Sequence, residues 1–138
     1  MIILREYPPN YSDIKQILKS VPESMIFTFG STIYNPSGNE ISPNLMAHEE
    51  QHMAQQGNDP TIWWRRYLID PAFRASQEIP AYQVQYQALK REVKDRNKLH
   101  TYLMFLASEL SGPAYGEILS FQEAYEAIKR QELYTFKI

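Results

Sequence analysis

The chain has 138 residues, 43% of them hydrophobic and 22% charged, which fits one globular domain that buries its own core and argues against disorder. Fourteen basic residues against sixteen acidic ones leave a net charge of -2, so nothing in the balance draws the chain to nucleic acid or to anionic lipid. The chain has no cysteine, which excludes disulfides, thiolate metal sites and cysteine nucleophiles.

The N-terminal run Met1-Ile2-Ile3-Leu4 is too short for a signal peptide, and no window reaches the ~20 apolar residues that span a bilayer. A soluble, cytoplasmic protein without a membrane partner is expected. After Tyr7-Pro8-Pro9, Ser12 or Asp13 is placed to cap a first helix with Ile14, Ile17 and Leu18 on one face, ended by Val21-Pro22. Met25 to Tyr34 is β-rich, with a turn signal at Asn35-Pro36-Ser37-Gly38-Asn39, so a strand or hairpin precedes the next element. Ser42-Pro43 then reads as a helix cap with proline in the first turn, and Gly57 as the stop. Asn58-Asp59-Pro60 opens a short helix carrying Trp63, Trp64, Tyr67 and Leu68, and Asp70-Pro71 opens a longer helical stretch towards Lys98. Pro80 is expected to kink or split that stretch near Ser76 to Ile79. Further helices are expected over about Leu99 to Leu110 and Glu117 to Glu132, separated by Ser111-Gly112-Pro113. The fold class is therefore α+β and predominantly helical, with a small sheet or hairpin before the central helices. One domain spans the chain, with a core of about 25–90 and a helical C-terminal extension of about 99–138.

Two of the three histidines stand four residues apart, in His48-Glu49-Glu50-Gln51-His52. On a helix, residues i and i+4 project from nearly one face a turn apart, so two imidazoles so placed can hold one zinc ion. Glu49 lies about 100° further round the helix, better placed to act on a water beside the metal than to ligate it. A catalytic zinc also needs a third protein ligand and an open position. Gln55 and Asn58 stand where a longer histidine motif would carry its glycine and third histidine, which leaves a downstream carboxylate. Glu78, 26 residues beyond His52, is the leading candidate; Asp59, Asp70, Glu92 and His100 are the rivals, with Asp59 and Asp70 also readable as helix caps.

His48-Glu49-x-x-His52 followed by Glu78-x-x-Ala81 resembles the zincin metallopeptidases, in particular the gluzincins, whose third ligand is a glutamate on a later helix. The resemblance covers about residues 25–90 and is to a minimal, single-domain type of the kind found in phage and microbial genomes. It implies a zincin-like fold, a Zn2+ cofactor held by His48, His52 and Glu78, Glu49 as general base, and a substrate paired along an edge strand within Met25–Tyr34. Many gluzincins carry an aspartate four residues after the ligand glutamate; this chain has Tyr82, a candidate for oxyanion stabilisation or for support of the ligands, or else a core tyrosine.

The function expected is zinc-dependent amide hydrolysis acting on a peptide or protein. The alternative is a non-catalytic metal-binding structural or phage-type assembly protein on the same scaffold. The mixed-charge run Lys90 to Lys98 reads as a solvated helix face, not a nucleic-acid patch. The stripe of Tyr102, Leu103, Phe105, Leu106 and Leu110 reads as packing or a homo-oligomer surface, and Tyr115 as a turn residue that can flank a cleft.

Overall fold

The computed structural model describes residues 1–130. It is α+β and mostly helical, with a three-stranded sheet of order β1-β3-β2 ahead of the principal helices. Phe27–Phe29 (β2) and Thr32–Tyr34 (β3) form a hairpin closed at Gly30-Ser31, where Gly30 takes a positive φ of 65° that costs it nothing for want of a Cβ. Ile2–Leu4 (β1) adds to the other side of β3 in parallel, with Ile3 opposite Ile33.

Tyr11–Ile17 (α1) starts after Asn10, so Ser12 and Asp13 lie inside its first turn and no side chain caps it. It is short: Ile14 and, just past its end, Leu18 are buried in the core and Tyr11 packs against it, whereas Ile17 is 44% exposed. The next three helices begin as their Ser/Asp-Pro pairs imply. Pro43–Gln56 (α2) is capped by the Ser42 hydroxyl, which accepts from the Leu45 amide, and stops at Gly57. Pro60–Ile69 (α3) is capped by Asp59 and Pro71–Glu92 (α4) by Asp70, each carboxylate accepting a main-chain N–H three residues on.

Two expectations about α4 are corrected. Of the kink or split expected at Pro80, the split does not occur: the proline sits inside one continuous helix. The lost hydrogen bond is offset by burial on both sides of it, since Ile79, Ala81 and Tyr82 are all in the interior. The helix ends at Glu92, short of Lys98, because Asp95 accepts the amides of Asn97 and Lys98 and starts a new helix, Arg96–Leu110 (α5). A single turn of tighter helix at Pro113–Tyr115 leads to Phe121–Lys129 (α6), opened by the reciprocal cap of Ser120 and Glu123. The last helix thus starts four residues after the expected Glu117, and its expected end at Glu132 lies outside the described residues.

Two apolar clusters hold these elements. Ile79, Tyr86 and Leu89 of α4 pack against Leu103, Leu106 and Leu110 of α5 and Ala124 and Ile128 of α6. Ile14, Leu18 and Phe27 pack against Trp63, Trp64, Tyr67, Leu68 and Phe73. Each large side chain so buried contributes on the order of 1.5–3 kcal/mol. Of the stripe expected on α5, Tyr102 and Phe105 are exposed, whereas Leu103, Leu106 and Leu110 form its inner face. Between the clusters α2 crosses α4 in antiparallel fashion: Asn44 meets Gln85, His52 meets Glu78, and Gln55 meets the Gln77 carbonyl, in reverse order along the two helices. Among the described residues no helix is long and apolar enough to cross a membrane.

Candidate metal centre

The α2–α4 crossing brings His48, His52 and Glu78 together, all three buried, with one donor atom from each within 4.8 Å of the others. Glu78 Oε1 lies 3.3 Å from His48 Nε2 and 3.2 Å from His52 Nε2. Donors held by one ion through tetrahedral bonds of ~2.0–2.1 Å stand about 3.3 Å apart, which is the separation of Glu78 Oε1 from each imidazole nitrogen.

The outer bonds of the three residues orient them for that use. His48 Nδ1 is 3.0 Å from Gln85 Oε1, and His52 Nδ1 is 2.8 Å from Gln55 Oε1. The Gln55 amide donates its NH2 to the Gln77 carbonyl, which can only accept, so its oxygen is the atom facing His52. The Gln85 amide likewise donates to Asn44 Oδ1. Each histidine therefore carries its neutral-state proton on Nδ1 and presents the Nε2 lone pair to Glu78. Two lone pairs facing one carboxylate oxygen are mutually repulsive until a cation or proton sits among them, and this is the fit that a divalent ion meets. Tyr67 donates to the other oxygen, Glu78 Oε2, at 2.6 Å, leaving Oε1 for the centre.

A proton on His52 can take up the same role. Burial by itself disfavours a charged His52, but the Glu78 carboxylate more than offsets it and pushes the imidazole up to about 9. Burial works against the Glu78 carboxylate too, and the two histidines overcome it and hold that group far below the usual carboxylate range.

Glu49 is buried in the same wall. Its Oε1 accepts from the Thr28 hydroxyl at 2.9 Å, and its Oε2 lies 3.8 Å from His48 Nε2. Burial pushes its carboxyl up, opposed by the fields of His48 and His52 and by the Thr28 bond. Tyr82 packs its ring edge-on to His48, centroids 4.6 Å apart, and its hydroxyl lies 2.8 Å from that of Tyr115. Tyr115 is held in turn by Arg74, a buried cation whose three nitrogens donate to the carbonyls of Tyr67, Leu68 and Tyr115.

These groups line a cavity of about 310 Å³ whose other walls are largely apolar, with Ile14, Leu18, Met25 and Leu45 among them. The outer edge of β2 is closed at one end: the Thr28 carbonyl accepts from Gln56 and from the Trp64 indole, and the Gly30 amide donates to Gln56. A strand-paired substrate, implied by the zincin resemblance, would have only the Ile26 end of that edge.

Of the rivals for third ligand, Asp59 and Asp70 are helix caps, and Glu92 and His100 are exposed, away from the cluster. Glu50, between Glu49 and His52, faces solvent. Sequence reasoning did not reach Thr28, Gln55, Tyr67, Gln85 or Glu109. A signal existed for two of them. Gln85 continues the Glu78–Tyr82 stripe by another turn of α4, and Gln55 follows His52 at i+3. Comparison of the chain with protein-family models, curated proteins and solved structures returns no match, so its chemistry is read from this geometry alone.

Proposed function

We propose that this chain is a zinc-dependent hydrolase of amide bonds in peptides or proteins. The observation that carries the reading is the pairing of a three-donor cluster with a buried carboxylate, Glu49, that one bond holds and no ligand role consumes. His48, His52 and Glu78 would hold the ion, and its chemistry there is to polarise a carbonyl and acidify water.

The chain's own residues supply the rest. Thr28 fixes one oxygen of Glu49, so the other, Oε2, is the atom available to accept a proton from the attacking water and to deliver it to the departing nitrogen. Burial, by raising the Glu49 carboxyl, suits it to both halves of that transfer, because a very weak base could not accept the proton. The Tyr82–Tyr115 hydroxyl pair lies on the same cavity wall, where one O–H can donate to the other and leave the second free to face the negative charge that develops on the carbonyl oxygen. The apolar walls exclude water from the reacting groups and strengthen these interactions.

The test is cleavage of a mixed peptide library by zinc-reconstituted protein and its Glu49→Gln variant. The variant should retain zinc and lose hydrolysis by at least about a hundredfold. Zinc binding with no Glu49-dependent cleavage would contradict the reading and favour a structural metal site.

A further inference from the structure

The cavity wall has a one-sided charge. Among the described residues its charged groups besides the two histidines are Glu40, Glu49, Glu78 and Glu109, with no lysine or arginine in its lining. Glu78 and Glu49 would balance a divalent ion, one by ligation and one by proximity. Glu40 and Glu109 are then left over, and they come from separate elements: Glu40 from the loop between β3 and α2, Glu109 from the last turn of α5.

Glu109 is the more informative of the two. Its side chain makes no hydrogen bond or ion pair among the described residues, although nearly every other polar group around the centre is bonded. Glu109 is exposed as a residue but lines the cavity beside His48 and Glu78, and burial on that side pushes its carboxyl up. A carboxylate on the cavity wall with no partner among the described residues favours whatever cation the substrate brings. The neighbouring walls are apolar and can carry the aliphatic stem of a long basic side chain while its head reaches the rim.

We infer that Glu109, aided by Glu40, selects substrates with a basic side chain, lysine or arginine, close to the scissile bond. This inference rests on the hydrolase reading for its assay but not for its binding chemistry, and two measurements keep the two apart. The first uses zinc-loaded wild-type protein and peptides identical except for one residue beside the scissile bond: lysine, arginine, norleucine or glutamate. At low salt kcat/KM should be about tenfold higher for the basic peptides than for norleucine, with glutamate lowest, and the gap should shrink in 0.5 M salt. Glu109→Gln should reduce the lysine-to-norleucine ratio several-fold, and Glu109→Lys should invert the lysine-to-glutamate order. Equal rates for lysine and norleucine, or a preference that survives Glu109→Lys, would overturn the inference.

The second measurement is calorimetric binding of the same peptides to zinc-loaded Glu49→Gln protein. Tighter binding of the lysine peptide, lost in the Glu49→Gln/Glu109→Gln double variant, upholds the inference even if wild-type protein cleaves nothing, in which case the hydrolase reading alone fails. Cleavage without charge preference leaves the hydrolase reading standing and removes this inference, and binding without charge preference removes this inference as well.

Discussion

Removal of the metal should leave a protein whose stability depends on one proton. In the ion-free cluster His52 is pushed from 6.5 up to about 9: burial opposes the charge, but Glu78, 3.2 Å away, outweighs it. At about 1.4 kcal/mol per pH unit, that rise corresponds to about 3 kcal/mol. A group with a raised pKa in the folded state stabilises it fully below the unfolded value and loses that contribution as pH rises through the folded one. Metal-free protein should therefore be most favoured by this pair below pH 6.5 and lose the contribution between pH 6.5 and 9. For a chain of this length the loss is roughly 10 °C in Tm. The same proton must leave Nε2 before zinc can bind, so each zinc bound at pH 7.5 should release about one proton. Thermal unfolding of chelator-treated protein from pH 6 to 9.5 reads the first effect. Zinc titration calorimetry in buffers of different ionisation enthalpy reads the second. A flat Tm over that range together with buffer-independent zinc binding would refute the assignment of a proton shared by His52 and Glu78.

Gln85→Leu should remove the acceptor that fixes the His48 tautomer and weaken zinc binding by about 10–100-fold, measured by competition with a chelating dye, while the helical circular dichroism stays unchanged. Tyr67→Phe should free Glu78 Oε2 and leave a buried carboxylate with one donor fewer, costing about 1–3 kcal/mol in denaturant unfolding of the metal-free protein.

The parts of this structure that were legible in the sequence are those in which a local rule has a direct mechanism. Ser42-Pro43, Asp59-Pro60 and Asp70-Pro71 announced three helices because a capping oxygen and a fixed φ act within one turn. The 3.6-residue period put His48 and His52 on one face, and Glu78 proved to be the carboxylate brought to them. Of the kink or split that Pro80 implies, the split does not occur, because its local cost is outweighed by burial along α4, a tertiary quantity. Asp95 was passed over because a cap inside a charge run looks like one more solvated charge. Thr28 and Tyr67 reach the centre only through the packing of β2 and α3 around α2 and α4, and no spacing along the chain encodes those distances. Arg74 belongs with them: a buried cation held by three carbonyls has no sequence signature.

The central claim is that His48, His52 and Glu78 form one metal site, and zinc stoichiometry tests it most directly. Elemental analysis of protein equilibrated with zinc and freed of excess should find one zinc per wild-type chain and none in His48→Ala, His52→Ala or Glu78→Ala proteins that remain folded. Full zinc occupancy in the folded Glu78→Ala protein, or wild-type protein that holds no zinc, would contradict it.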